Sequence, residues 1–299
     1  MAYQDFATKA RPAAPLPTIR RIEIGDLMEA LRRGMDDFRA MPTTHVVFLS
    51  LIYPLVGLVL ARLTFGYDVV PLLYPVVAGF ALIGPFAAVW MYEMSRRREA
   101  GLDVSWRHAF DVLHARSFGA ILALGLLLTV IFVVWLAVAN TIYTAIMGYG
   151  APVSFELFMR RVLTTPEGWL LIAVGNAVGL LFAATVLTIS VVSFPLLLDR
   201  HVGPITAMAT SAKAVAKNPG PMAVWGLVVA AALVAGSIPF LFGLAVVMPI
   251  LGHATWHLYR KVVDARALAP QEYREPRKPR RYAAEFPAAL FPVSGEPRS

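Results

Sequence analysis

The chain has 299 residues, 58% of them hydrophobic and only 15% charged, with a mean hydropathy of +0.64 and a net charge of +8. Soluble domains carry about 25% charged and about 45–50% apolar residues, so this composition excludes an ordinary soluble fold and indicates a membrane class. The absence of cysteine excludes disulfides, thiolate zinc sites and cysteine-ligated iron–sulfur clusters.

In chain order, residues 1–24 contain Pro12, Pro15 and Pro17 with few large apolar groups, and are expected to form a disordered tail. No short apolar region followed by a cleavage site occurs in the first 44 residues, so the first apolar run is expected to be retained as a helix. The stretch "GDLMEALRRGMDDFRAMP", 25–42, reads as an amphipathic helix. Leu27, Leu31, Met35 and Phe38 recur on one face, with Arg32, Arg33 and Asp36 on the other. A helix rising 1.5 Å per residue needs about 20 apolar residues to cross the hydrocarbon layer. Residues 45–64 and 69–93 supply a first pair of such spans.

A second amphipathic stretch, "SWRHAFDVLHARSFG" at 105–119, carries Phe110, Leu113 and Phe118 and leads into spans at 118–147 and 168–198. Between these lies an outer loop, 148–169, whose middle sets Phe155, Leu157, Phe158, Val162 and Leu163 beside Arg160 and Arg161. It reads as a short surface helix, packed on the protein itself or docked to a partner. A third amphipathic stretch, "PITAMATSAKAVAKNPG" at 204–220, precedes a 39-residue apolar run, 221–259. Gly236, Pro239 and Gly243 fall together inside that run, and proline removes a backbone donor and clashes with the preceding turn. It reads as two helices, 221–237 and 239–259, the alternative being one kinked helix. Residues 266–299 hold six prolines after residue 269 and are expected to be a disordered basic tail.

Of the 27 Lys and Arg, seven lie in 1–44, five in 94–117, three in 199–220 and nine from Arg260 onward. The alternate loops hold only Arg62, Arg160 and Arg161. This bias places both termini and the basic segments in the cytoplasm, which requires an even number of spans. It also accounts for the surplus charge without nucleic acid. The fold expected is therefore an all-α polytopic bundle over 25–265, with six spans as three pairs, each preceded by a cytoplasmic amphipathic helix. The paired pattern ends with a proline in the second span of each pair: Pro85, Pro195 and Pro249.

The "RRG" lead-in followed by "DDF", the proline-bearing "GPFAAVWMYEMSRRREAG" and the basic tail resemble an uncharacterised proteobacterial family of predicted integral membrane proteins of unknown function. The resemblance spans roughly residues 25–265. It implies a bacterial inner-membrane location and supplies no catalytic residues.

Four polar groups fall near the cytoplasmic ends of spans: Glu93, Asp199, His253 and His257. The two histidines are four residues apart and share one helical face, so this set is a candidate polar or metal-binding cluster. The plainer reading is an interfacial belt of solvated pairs, and two histidines alone do not define a metal site. Asn140 and Asn176 are expected at similar depth as an interhelical clamp, and Gly175 and Gly179 as a close-packing face. Arg274, Arg277, Lys278, Arg280 and Arg281 are expected to meet anionic headgroups, at about 1 kcal/mol each. The nearby "FPAALFP" offers an alternative, a tether for a partner protein.

No Asp, Glu, Lys or Arg sits at mid-depth in any span, which argues against a coupled transporter or pump. No nucleotide loop, zinc-protease helix or nucleophile elbow is present. The leading expectation is a non-enzymatic accessory or scaffolding protein, without cofactor, that binds lipid or a partner membrane protein. One alternative is a passive channel lined by Asn140, Asn176, Thr185, Thr188 and Ser190. Another is a metal- or haem-dependent enzyme at Glu93, Asp199, His253 and His257.

Overall fold

A computed structural model of the chain describes residues 17–41, 57, 70–148, 155–238 and 243–272. The expected span at 45–64 (Gly57 apart), Pro239 and the basic residues from Arg274 to Arg281 lie outside the described residues.

The described chain is almost wholly helical. A two-residue strand, β1 (Thr18–Ile19), precedes α1 (Ile24–Ala40). After a short turn come α2 (Leu73–Ala87) and α3 (Val89–Glu99), then a 3-10 segment, Trp106–His114. Next are α4 (Phe118–Met147), α5 (Phe155–Thr164), α6 (Pro166–Ser190) and α7 (Ser193–Asp199). The chain continues with α8 (Pro204–Lys217), α9 (Pro219–Ser237), α10 (Leu244–Val262) and β2 (Val263–Asp264).

Four helical stretches among the described residues are long and apolar enough to cross a membrane: Tyr74–Glu99, Phe118–Met147, Pro166–Asp199 and Pro219–Ser237. Their outer faces are apolar. On α4, Leu122, Leu126, Val130 and Val133 are exposed at helical spacing, and Leu180 on α6 and Leu227 on α9 are each 69% exposed. Such a continuous apolar surface is stable only against lipid or a partner. The protein is thus an all-α, multi-pass integral membrane protein.

The span layer is centred on Trp135. Its indole Nε1–H donates to the carbonyl of Pro75 at 2.9 Å, its ring lies 5.4 Å from Phe182, and Gly79 and Gly179 both give it room. A side chain at Gly79 would collide with this indole, so α2, α4 and α6 meet around it.

At the ends of the chain some expectations hold and others need correction. The last apolar segment forms a helix, α10, packed against α9, but it is not among the four crossing candidates. Its second half carries His253, His257, Arg260 and Lys261 and is largely buried under other helices. The run 221–259 is not one kinked helix: the backbones of Gly236 and Gly243 approach so closely that a Cβ at 243 would meet the Gly236 carbonyl oxygen. The buried stripe of α1 is Leu27, Ala30, Gly34 and Asp37, with Leu31, Met35 and Phe38 at its edge. This helix packs along α10 and does not stand alone.

The tail boundaries also shift inward. Thr18–Ile19 pair antiparallel with Val263–Asp264, and Ile19 and Ile22 are buried. Asn218 fastens this segment by accepting from the Ile22 N–H at 2.9 Å and donating to the Arg20 carbonyl at 3.1 Å. Beyond β2, Leu268 is buried, and the Gln271 N–H donates to the Asp199 carbonyl at 2.9 Å. Residues 17–24 and 266–272 therefore belong to the folded unit.

Prolines act unequally. Pro195 has no N–H to offer residue 191, and the helix breaks at Val191–Val192 between α6 and α7. Pro85 and Pro249 sit inside α2 and α10, which continue past them.

Candidate functional site: a buried polar knot at the basic end

The site begins with small residues. A Cβ on Gly34 would lie 2.6 Å from the backbone nitrogen of Ala254, and one on Gly252 would lie 2.9 Å from the Met91 Cβ. α10 is therefore clasped between α1 and α3 at close range. One turn beyond this crossing, each helix contributes polar groups: Asp37 from α1, Ser95 and Arg98 from α3, His253 and His257 from α10.

These groups satisfy one another. The Ser95 hydroxyl donates to Asp37 Oδ2 at 2.5 Å and lies 2.7 Å from His253 Nδ1. His257 Nε2 is 2.9 Å from the same carboxylate oxygen, and Arg98 pairs with the other oxygen of Asp37. Asp37, Ser95 and His253 are 3%, 1% and 0% exposed, so no solute reaches them. Burial pushes the Asp37 carboxyl up, but the hydrogen bonds from His257 and Ser95 and the charges of His253 and His257 outweigh it and lower it from 3.8 to about 2. The trio Ser, His and Asp does not form a nucleophilic relay. His253 Nδ1 stands 3.8 Å from the carboxylate, which instead binds the serine directly.

Glu93 and Asp199 lie in the same polar layer but hold separate partners. Glu93 pairs with Arg96 at 2.9 Å and faces Arg97 at 3.9 Å. Arg96 also donates to the Leu198 carbonyl at 3.0 Å, tying α3 to α7. Asp199 accepts from the Tyr259 hydroxyl at 2.7 Å and from Arg200 at 3.0 Å, with Arg260 at 3.4 Å. Arg260 then bridges to Glu99 at 2.9 Å, and Glu99 accepts from the Trp256 indole at 3.1 Å. A continuous chain of contacts thus crosses the ends of α3, α7 and α10. It does not gather the four acidic and imidazole groups round one point. No group of three or more metal-ligating side chains occurs among the described residues.

The sequence reading missed Asp37, Ser95 and Arg98. One signal was available: Asp37 continues the small-residue stripe of Ala30 and Gly34, and a carboxylate on a close-packing face needs buried partners.

The amide clamp is rearranged. Asn176 Oδ1 accepts from the Tyr74 hydroxyl at 2.8 Å and its Nδ2 donates to the Ile172 carbonyl at 2.7 Å. No hydrogen bond joins it to Asn140 among the described residues, and Asn140 is exposed. Gly179 packs on Trp135, but nothing lies within 4 Å of a Cβ built on Gly175, so the two glycines do not form one packing face here. The hydroxyls of Thr185, Thr188 and Ser190 all donate to carbonyls one turn back in their own helix, which removes them as pore-lining donors.

At the opposite end, α5 buries Phe158 and Val162 against Tyr143 and Met147, and Arg161 donates to the Met147 carbonyl at 3.1 Å. That contact supplies a partner to the C-terminus of α4.

Residues 73–199, from α2 through α7, match the family described as "Predicted integral membrane protein (DUF2189)". This part of the chain is therefore similar to an uncharacterised family of predicted integral membrane proteins, the kind the sequence resembles. No curated protein and no solved structure matches it.

Proposed function

We propose that this chain is a non-catalytic membrane protein, an accessory or scaffolding component whose basic end binds anionic lipid or a partner membrane protein. The observation that carries this reading is a division of labour among polar groups. Asp37, Ser95, His253 and Asp199 are buried and paired between helices, and Glu93 is buried and paired with Arg96 on its own helix. Arg21, Arg32, Arg39, Arg116 and Lys213 at the same end are exposed, and take part in no ion pair among the described residues. Buried pairs of this kind fix helices in place, whereas outward cations near a bilayer attract anionic headgroups.

The finer topology belongs to the same proposal. Six crossings in three pairs put both termini on the cytoplasmic face of a bacterial inner membrane. The distribution of Lys and Arg and the packing of α9 on α10 support it.

The test uses full-length protein in nanodiscs of mixed zwitterionic and anionic lipid. Native mass spectrometry should find anionic lipid enriched on the protein, and the variant R32Q/R39Q/R116Q/K213Q should lose most of that enrichment. Equal lipid ratios on protein and disc, together with no stoichiometric partner after gentle extraction, would contradict the reading.

A further inference from the structure

A cavity of about 270 Å³ opens at the basic end, touching the buried knot only through His257. Its walls come from the residue after β1, α1, the end of α3, the residue after α7, the end of α10, β2 and the two residues that follow it, so it exists only once the whole end has assembled. Six cationic side chains line it: Arg20, Arg33, Arg200, Arg260, Lys261 and Arg266. Two carboxylates, Glu99 and Asp264, stand among them.

The cations divide into a floor and a rim. Arg200 is fixed by Asp199 and the Leu268 carbonyl, each at 3.0 Å, and Arg260 by Glu99 at 2.9 Å. Lys261 is held by Asp26 at 2.9 Å and Glu29 at 2.6 Å. At the mouth, Arg20, Arg33 and Arg266 have side chains 42%, 55% and 86% exposed. Arg20 and Arg266 share the single carboxylate of Asp264, at 2.5 and 3.6 Å. The carboxylates that pair with these cations are Asp26, Glu29, Glu99, Asp199 and Asp264, one fewer than the cations. The unmatched positive charge falls at the rim, chiefly on Arg266. A guanidinium offers five N–H donors in a fork that fits phosphate oxygens, and each rim arginine spends only a small part of that capacity on its carboxylate.

We propose that this cavity binds a phosphate-bearing anion. The volume lies just below the range of small-molecule sites, about 300–1,000 Å³, which suits a phosphate or diphosphate group rather than a whole nucleotide. The group arrives either on a soluble phosphate compound or as the headgroup of an anionic phospholipid. This site does not depend on the scaffolding reading, which rests on a different set of arginines.

The test takes the full chain in nanodiscs of phosphatidylcholine alone and titrates it calorimetrically with inorganic phosphate and with pyrophosphate. A parallel arm measures retention of phosphatidic acid by native mass spectrometry. Saturable binding in the first arm identifies a soluble source, and selective retention in the second identifies a headgroup. In either case R20Q/R33Q/R266Q should weaken binding about tenfold, R266Q alone about threefold, and both losses should shrink at high salt. The control R32Q/R39Q/K213Q should change the binding of phosphate and pyrophosphate less than about twofold, since those residues lie outside the cavity. Absence of binding in both arms, or equal binding by R266Q and the wild type, would overturn the proposal.

Discussion

Asp37 shows how one side chain can hold three helices. It accepts from Ser95, His257 and Arg98 while being almost completely buried, so removing it strands three polar partners away from water. Asp37→Ala should therefore destabilise the protein by about 3–5 kcal/mol, read as a lower thermal midpoint and faster amide exchange across Ile24–Ala40. A pH dependence follows from the same contacts. The folded-state value, about 2, lies below the ordinary 3.8, so the stabilisation is fully present above pH 3.8 and is lost as pH falls toward 2. The loss should amount to about 2 kcal/mol, and the slope between pH 4 and 2 should be shallower in the Asp37→Ala variant. An unchanged slope would mean that this carboxylate is not charged in the knot. The histidine pair was visible in the sequence as i and i+4 on one face. Its partners were not, because they come from helices 158 and 220 positions away along the chain.

Among the elements, glycines separate close crossings from incidental ones. Gly34 lets α1 approach the backbone of α10, and a methyl group there has no space. Gly34→Ala should cost about 1–3 kcal/mol through overpacking. Gly175→Ala meets open space and should be neutral or stabilising by up to about 1 kcal/mol, from the helix propensity of alanine alone. Thermal midpoints of the two purified variants compare them directly, and an equal response would remove the argument for a clasp at Gly34. Apolar length made the spans legible: the expected 118–147 coincides with Phe118–Met147, because length and hydropathy determine a lipid-facing helix almost alone. The end of the bundle was less legible. The face of α1 is chosen by which residues permit contact with α10, and small residues carry no hydrophobic signal. For that reason Leu31 and Met35 looked like the centre of the stripe, while Ala30, Gly34 and Asp37 are the residues that are buried.

The whole molecule divides into an apolar span layer and a polar end where the N-terminal segment, α1, α3, α7, α8 and the end of α10 are lashed together. The charge asymmetry of the loops made that division readable from sequence, since lysine and arginine placement is a property of the chain itself. The cover over the second half of α10 was not readable, because the helices that bury it come from distant parts of the chain. The absence of cysteine makes the division directly testable with single substitutions. Lys213→Cys, at the basic end, and Glu156→Cys, on α5 at the far end, are labelled in intact cells and in opened membranes with a maleimide that does not cross bilayers. Glu156→Cys should react in intact cells, and Lys213→Cys should react only after the membranes are opened. Reaction of both positions from the same side would contradict it.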